Sequence, residues 1–289
     1  MLLKRSTLQL LRFHFSLFLL PVFLFALSEV AFIDWTRALL LLFILHGLVY
    51  PASNGYNSYM DRDETPIGGL AKPMQPTKQL FYTTILLDAL ALFLSLFFMG
   101  PLMALGILCY ILASRAYSWR GIRLKQYPVI GFLTVFTFQG ALVFFISMHG
   151  ASAAPLTTVP FLPLIAASFL IGALYPLTQI YQHEADLRDG VKTLSCILGI
   201  RGTFVFSGLL FLASAMLLLF WYHARLRLNE FWLFLLMTMP VVLFFCWWMH
   251  KVWQDEKAAN FKNSLRMNLV ATSCTIVYFS TLIYIHHFE

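Results

Sequence analysis

Charge is scarce in this chain. Of its 289 residues only 11% are Asp, Glu, Lys or Arg, whereas 60% are hydrophobic, and the mean hydropathy is +0.77. Soluble domains carry about 25% charged residues, so an ordinary soluble domain is excluded. Cysteine is scarce too. Cys109, Cys196, Cys246 and Cys274 are scattered, with no CxxC spacing and no evident partners. They read as small buried apolar residues, and no redox inference follows. The alternating pattern of an outer-membrane barrel is also missing.

What the chain has instead is apolar length. Nine runs of membrane-spanning length lie at roughly 13–33, 37–57, 80–99, 101–117, 127–149, 160–182, 202–222, 230–250 and 267–286. They predict an all-α polytopic membrane protein, one domain over residues 1–289, with no soluble domain attached. Lys4, Arg5 and the run to Ala26-Leu-Ser28 resemble a secretory signal. Removing them would spoil the charge asymmetry of the loops, so the segment is read as the first helix, with Pro21 as a kink.

The net charge of +7 is a matter of topology here, and no nucleic-acid partner is expected. If the N-terminus and the loops after runs two, four, six and eight share one side, that side holds seventeen of the twenty Lys and Arg residues. Only Arg37, Arg225 and Arg227 lie opposite. The positive-inside rule then predicts a cytoplasmic N-terminus, an outer C-terminus and, in a bacterium, an inner- or plasma-membrane location.

Six of the thirteen acidic residues fall in two clusters on the predicted cytoplasmic side. The first is Asn57-Ser-Tyr-Met-Asp61-Arg62-Asp63-Glu64, and the second is Gln182-His-Glu184-Ala-Asp186-Leu-Arg188-Asp189. Helical spacing puts Asn57, Asp61 and Glu64 on one stripe, and Gln182, Asp186 and Asp189 on another at the end of run six. Two carboxylates ~4 Å apart repel by about 4 kcal/mol at an effective dielectric of 20. A hard cation such as Mg2+ reverses that sign, accepts oxygen-only ligand sets and commonly brings a phosphate with it. The bland reading is a pair of solvated loop ends, and two matched clusters weigh against it. Four runs separate the clusters, as two related four-helix bundles facing each other would require.

Basic residues near the clusters could hold diphosphate oxygens: Lys72, Arg123, Lys125, Arg188 and Lys192. The positive-inside bias and lipid headgroups explain them equally well. Asp88, alone within run three, reads either as a relay or substrate contact or as a residue paired inside the bundle. Among 48 aromatic residues, Tyr117 and Tyr181 adjoin the polar segments and are candidates for contacts to a bound isoprenoid.

In these residues the chain resembles the UbiA superfamily of intramembrane prenyltransferases. The family's first motif, Asn-Asp-x-x-Asp-x-x-x-Asp, is matched at Asn57 and Asp61, with Ser58 and Thr65 in place of two Asp. Asp63 or Glu64 stands near the last position. The second motif, Asp-x-x-x-Asp followed by Gly-x-Lys-Ser/Thr, is matched at Asp186, Gly190, Lys192 and Thr193, with Gln182 for the first Asp and Glu184 nearby. Tyr117-Ser118 followed by Arg123-Leu-Lys125 is similar to a stretch after the fourth helix of several members.

The resemblance implies nine helices around a central cavity open toward the cytoplasm. It also implies Mg2+-dependent transfer of a polyprenyl group from its diphosphate to a small aromatic or lipid acceptor. Asp61 and Asp186 would be the catalytic carboxylates, and Asn57, Asp63, Glu64, Gln182, Glu184 and Asp189 further metal ligands. Lys72, Arg123, Lys125, Arg188, Lys192, Tyr117 and Tyr181 would contact the prenyl diphosphate. Two rivals come from other classes. A CDP-alcohol phosphotransferase needs Asp-x-x-Asp-Gly-x-x-Ala-Arg, and Asp189-Gly190 lacks the downstream Ala-Arg, Thr193-Leu194 standing in its place. A relative without chemistry, carrying a divalent cation, lipid or isoprenoid, stays open because three motif Asp are replaced.

Overall fold

The computed structural model describes residues 3–154 and 158–289, so residues 155–157 of the connection between runs five and six lie outside the described residues. Regular structure is helical, apart from isolated bridges joining Ile33 to Ser152 and Ile67 to Leu70. Among the described residues nine helices are long and apolar enough to cross a membrane. They are α1 (Arg5–Ser28), α2 (Trp35–Asp61), α3 (Lys78–Met99), α4 (Pro101–Ser118), α5 (Pro128–Ala151), α6 (Phe161–Thr178), α7 (Leu194–Ala224), α8 (Leu228–Gln254) and α9 (Phe261–Phe288).

Local chemistry sets the ends. The Asp34 carboxylate accepts the Arg37 backbone N–H at 3.0 Å and caps α2, and Asn260 and Thr193 cap α9 and α7 in the same way. Pro101 and Pro128 open α4 and α5, where a missing N–H costs nothing. Consecutive helices pack in order from α5 through α9, α9 returns to α1, and α1 and α2 close onto α5. Leu86, Phe97, Leu209, Trp232 and Leu243 are exposed on the outside, as a hydrocarbon environment requires.

Two breaks depart from the sequence expectation, and both lie beside the acidic clusters. Run six does not continue to residue 182. Pro176 cannot donate to the helical ladder and disfavours the α conformation before it, so α6 closes in a tight turn at Pro176–Thr178. A separate short helix, His183–Arg188, then carries the second cluster, with Asp189 after its last turn. The expected stripe of Gln182, Asp186 and Asp189 on helix six is therefore replaced by a turn and a one-turn helix. Likewise α2 stops at Asp61 because Arg62 turns left-handed (φ 55°, ψ 44°), its N–H reaching the Ser58 carbonyl at 3.1 Å. Glu64 thus leaves the face that Asn57 and Asp61 share.

Other charges inside the bundle are paired. Asp88 on α3 bonds Arg115 on α4, whose guanidinium also meets the Thr84 carbonyl at 3.3 Å and lies 3.9 Å from the Tyr56 ring centre. Of the two readings of Asp88, the structure shows the paired one. At the end of the bundle opposite the acidic clusters, Glu29 accepts the Trp221 indole N–H at 3.0 Å and lies 3.9 Å from Arg227. Arg227 bonds Glu230 at 2.7 Å, and His286 meets Glu230 at 3.0 Å while donating to the Ser28 carbonyl at 2.9 Å. This network ties α1, α7, α8 and α9 together.

Candidate active site

The two breaks turn both acidic clusters toward one cavity among α1, α2, α4, α5 and α6. Asn57, Asp61 and Asp63 line it from the end of α2, and Gln182 and Asp186 from the turn after α6. Asp61 is 6% exposed. Lys125, from the loop after α4, bonds one of its oxygens, and the Arg123 guanidinium stands 3.6 Å from the other. That second oxygen is buried and has no hydrogen-bond partner among the described residues. Arg123 turns back to Asp189, bonding its side chain and, at 3.0 Å, its carbonyl. Arg120 reaches the same carboxylate at 3.4 Å and the Met60 carbonyl at 2.9 Å. The basic loop thereby ties the two acidic segments together.

Burial and crowding shift the carboxyls. Asp186 is pushed up to about 7, mainly by burial, with Lys125 opposing and Asp61, Asp63 and Asp189 adding to the rise. Asp63 is pushed up to about 6, again by burial first and then by Asp61. Burial likewise raises the Tyr181 hydroxyl to about 12. These shifts mark carboxyls that burial holds away from water.

The other residues picked from the sequence are divided by the fold. Tyr117 lines the cavity and bonds the Tyr175 hydroxyl, which accepts Gln179 Nε2 at 2.9 Å. Tyr181 packs edge-on against Phe261 and accepts Gln182 Nε2 at 3.1 Å. Glu64, Lys72 and Lys192 are exposed and stand away from the cavity wall. Glu184 and Arg188 face solvent as an i,i+4 pair at 3.4 Å.

Three cavity residues escaped the sequence reading. Arg12 interrupts α1 in a left-handed conformation (φ 48°, ψ 49°), and its buried guanidinium donates to the carbonyls of Gly68 at 3.1 Å and Asn54 at 3.2 Å. Its charge acts on Asp63. A lone Arg at the margin of the first apolar run was the available signal. Tyr175 and Gln179 carried none beyond their place beside Pro176.

The donor set fits Mg2+. It is made of oxygens, and one Asp61 oxygen is buried without a donor. Among the described residues no three Asp, Glu, His or Cys side chains form a ready-made cage. Mg2+ is held by one or two carboxylates with waters and substrate phosphates, so a cage is unnecessary. Beyond the carboxylates, Phe18, Ile171 and Leu174 form a wall shared with an apolar chamber among α1, α6, α7, α8 and α9.

A membrane-embedded helical bundle, with acids and bases at one end of a cavity and apolar walls behind them, is the class that fold and site define. A sequence profile of the UbiA prenyltransferase family matches residues 17–270, and the chain belongs to that family. Among solved structures, the chain is similar to a UbiA homologue from Archaeoglobus fulgidus bound to GPP and Mg2+, with 20% identity, TM-score 0.72, and coverage of 96% of this chain and 99% of that one. The same homologue bound to DMAPP and Mg2+ gives 19% identity and TM-score 0.72 over 97% and 99% of the two chains. An apo UbiA homologue from Aeropyrum pernix K1 gives 18% identity and TM-score 0.66 over 92% and 98%. No curated protein sequence matches the chain.

Proposed function

We propose that this protein transfers a prenyl group from its diphosphate to an acceptor within the membrane, in a Mg2+-dependent reaction. The observation that carries this reading is the meeting of Asp61, Asp63 and Asp186 at the polar end of a cavity backed by apolar walls. Asn57, Asp61, Asp63, Gln182 and Asp186 would hold Mg2+ together with the diphosphate. Glu64 and Glu184 are exposed and Asp189 is paired with Arg123, so this reading leaves the three out of the metal site. Bound Mg2+ supplies neutralisation of the charge that builds on the leaving diphosphate.

The chain's own residues do the rest. Lys125, Arg123 and Arg12 hold diphosphate oxygens, Lys125 by leaving Asp61 as the substrate enters. The allylic C–O bond breaks with its electron pair going to diphosphate. Tyr117, Phe18 and Phe138 line this part of the cavity and would screen the resulting cation from water. The acceptor then donates an electron pair to the allylic carbon and loses a proton. The acidic end faces the cytoplasm in this reading, because the basic loops surround it. An impermeant maleimide should label Lys257→Cys from the cytoplasmic side and Arg225→Cys from the other; the reverse pattern overturns the orientation.

Pyrophosphate release from DMAPP, GPP and longer prenyl diphosphates, with pooled aromatic and lipid acceptors, tests the reaction. Release should require Mg2+ and fall at least about 100-fold in Asp186→Asn, the scale on which preorganised charge stabilisation is lost. Full activity in both Asp186→Asn and Asp61→Asn would refute the assignment. Mg2+-dependent binding of prenyl diphosphates without release, across every acceptor, would instead favour an isoprenoid carrier.

A further inference from the structure

The inner end of the cavity is polar on one side, and a prenyl tail has no use for that. Tyr50 lies eleven residues before Asp61 on α2, hence ~16 Å further along the helix. It lines the cavity, is 1% exposed, and its hydroxyl has no hydrogen-bond partner among the described residues. The Tyr110 ring lies 5.6 Å from it, with Gln139 within hydrogen-bonding reach of the Tyr110 hydroxyl. His46, one turn deeper, meets the Tyr50 ring edge-on at 4.9 Å, and neither of its ring nitrogens has a hydrogen-bond partner among the described residues.

Two backbone features point the same way. His46 sits on a π-helical turn of α2 (Phe43–Val49), and Gln139 on another in α5 (Phe136–Leu142). Such turns spoil the helical ladder and recur at functional sites. Lone polar groups this deep in hydrocarbon are costly unless something pairs with them. Among the described residues no Asp, Glu, Lys or Arg lines this inner end, so an anion placed there would meet no counter-charge.

We propose that Tyr50, Tyr110 and Gln139 receive the distal polar group of the acceptor, and that the acceptor is an uncharged ring compound carrying hydroxyl or keto oxygens. This rests on the prenyl-transfer reading. The prenyl tail lies against the apolar wall of Phe18, Ile171 and Leu174, and the acceptor's reactive atom points back toward the diphosphate. The unpartnered Tyr50 hydroxyl and Gln139 bond the oxygen at its far end, while the tyrosine rings pack against its faces.

Three probes with one ring skeleton decide the matter: naphthalene-1,4-diol, 1-naphthoate and naphthalene. Their binding to full-length protein in nanodiscs is measured under argon, with Mg2+ and an unreactive prenyl thiodiphosphate present. The diol should bind at least about tenfold tighter than either of the others. Tyr50→Phe and Gln139→Leu should each weaken the diol about five- to tenfold, the scale of one hydrogen bond, and leave thiodiphosphate affinity within about twofold. Equal binding of the naphthoate, a diol affinity unmoved by both substitutions, or no diol binding at all overturns the acceptor assignment. Failure of the thiodiphosphate to bind is a separate outcome, and overturns the transfer reading with the acceptor assignment that depends on it.

Discussion

Single residues hold this site in conformations that cost energy. Arg12, Arg62 and Arg123 all have positive φ, a region that strains a side-chain-bearing residue by about 1–3 kcal/mol, and all three stand at the acidic end. Arg12 is held there by two carbonyls, a fork that an ammonium cannot reproduce. Arg12→Lys should therefore raise KM for the prenyl diphosphate about tenfold with a smaller change in kcat; an unchanged KM would remove Arg12 from the substrate site. Asp63 and Asp186, raised to about 6 and about 7, bind protons where an exposed Asp does not. A proton and a cation compete for the same oxygens, so Mg2+-dependent substrate binding should strengthen as pH rises from about 5.5 to about 8. Titration calorimetry across that range checks it, and a flat profile would mean that these carboxyls do not take the metal.

At the scale of elements, breaks matter more than the helices they interrupt. The π-turn of α5 frees the Ala141 N–H, which the Ser168 hydroxyl of α6 accepts at 2.9 Å. That contact needs Gly140, since a Cβ there would sit 2.3 Å from the Ser168 Cα. Gly140→Ala should push α5 from α6 and lower stability by about 1–3 kcal/mol, as overpacking does, read as a lower Tm in detergent. The apolar runs made all nine helices legible in the sequence, because membrane-spanning length is a strong signal. The breaks were less legible. Pro176 did announce the end of α6, but hydropathy ran on past it to residue 182. Nothing in the residue types marks Arg12 or Arg62 as left-handed, so Glu64 was read onto a helix that had already ended. The pairing of Arg123 with Asp189 depends on two loops meeting in space, which linear spacing does not report.

The whole molecule has a charged network at each end, with different tasks. At the end away from the acidic cavity, burial pushes Glu29 up to about 7, against the opposing pull of Arg227. The unfolded carboxyl titrates near 4.5, so its neutral form contributes stability that is complete below about 4.5 and lost as pH rises through 7. Tm should accordingly fall between about pH 5 and about pH 8, and Glu29→Gln should flatten that fall. An identical slope in the variant would place the titrating group elsewhere. At the acidic end the charges are already matched, Lys125 to Asp61 and Arg123 to Asp189. A cation arriving alone must displace an ammonium and leave it without an anion; a diphosphate arriving alone strips Asp61 of its counter-charge. Arriving together, each takes the partner that the other releases. In the proposed reaction this exchange would couple the two ligands heterotropically, each tightening the other by the same factor, so that the resting protein would discriminate against stray divalent ions and bare pyrophosphate alike.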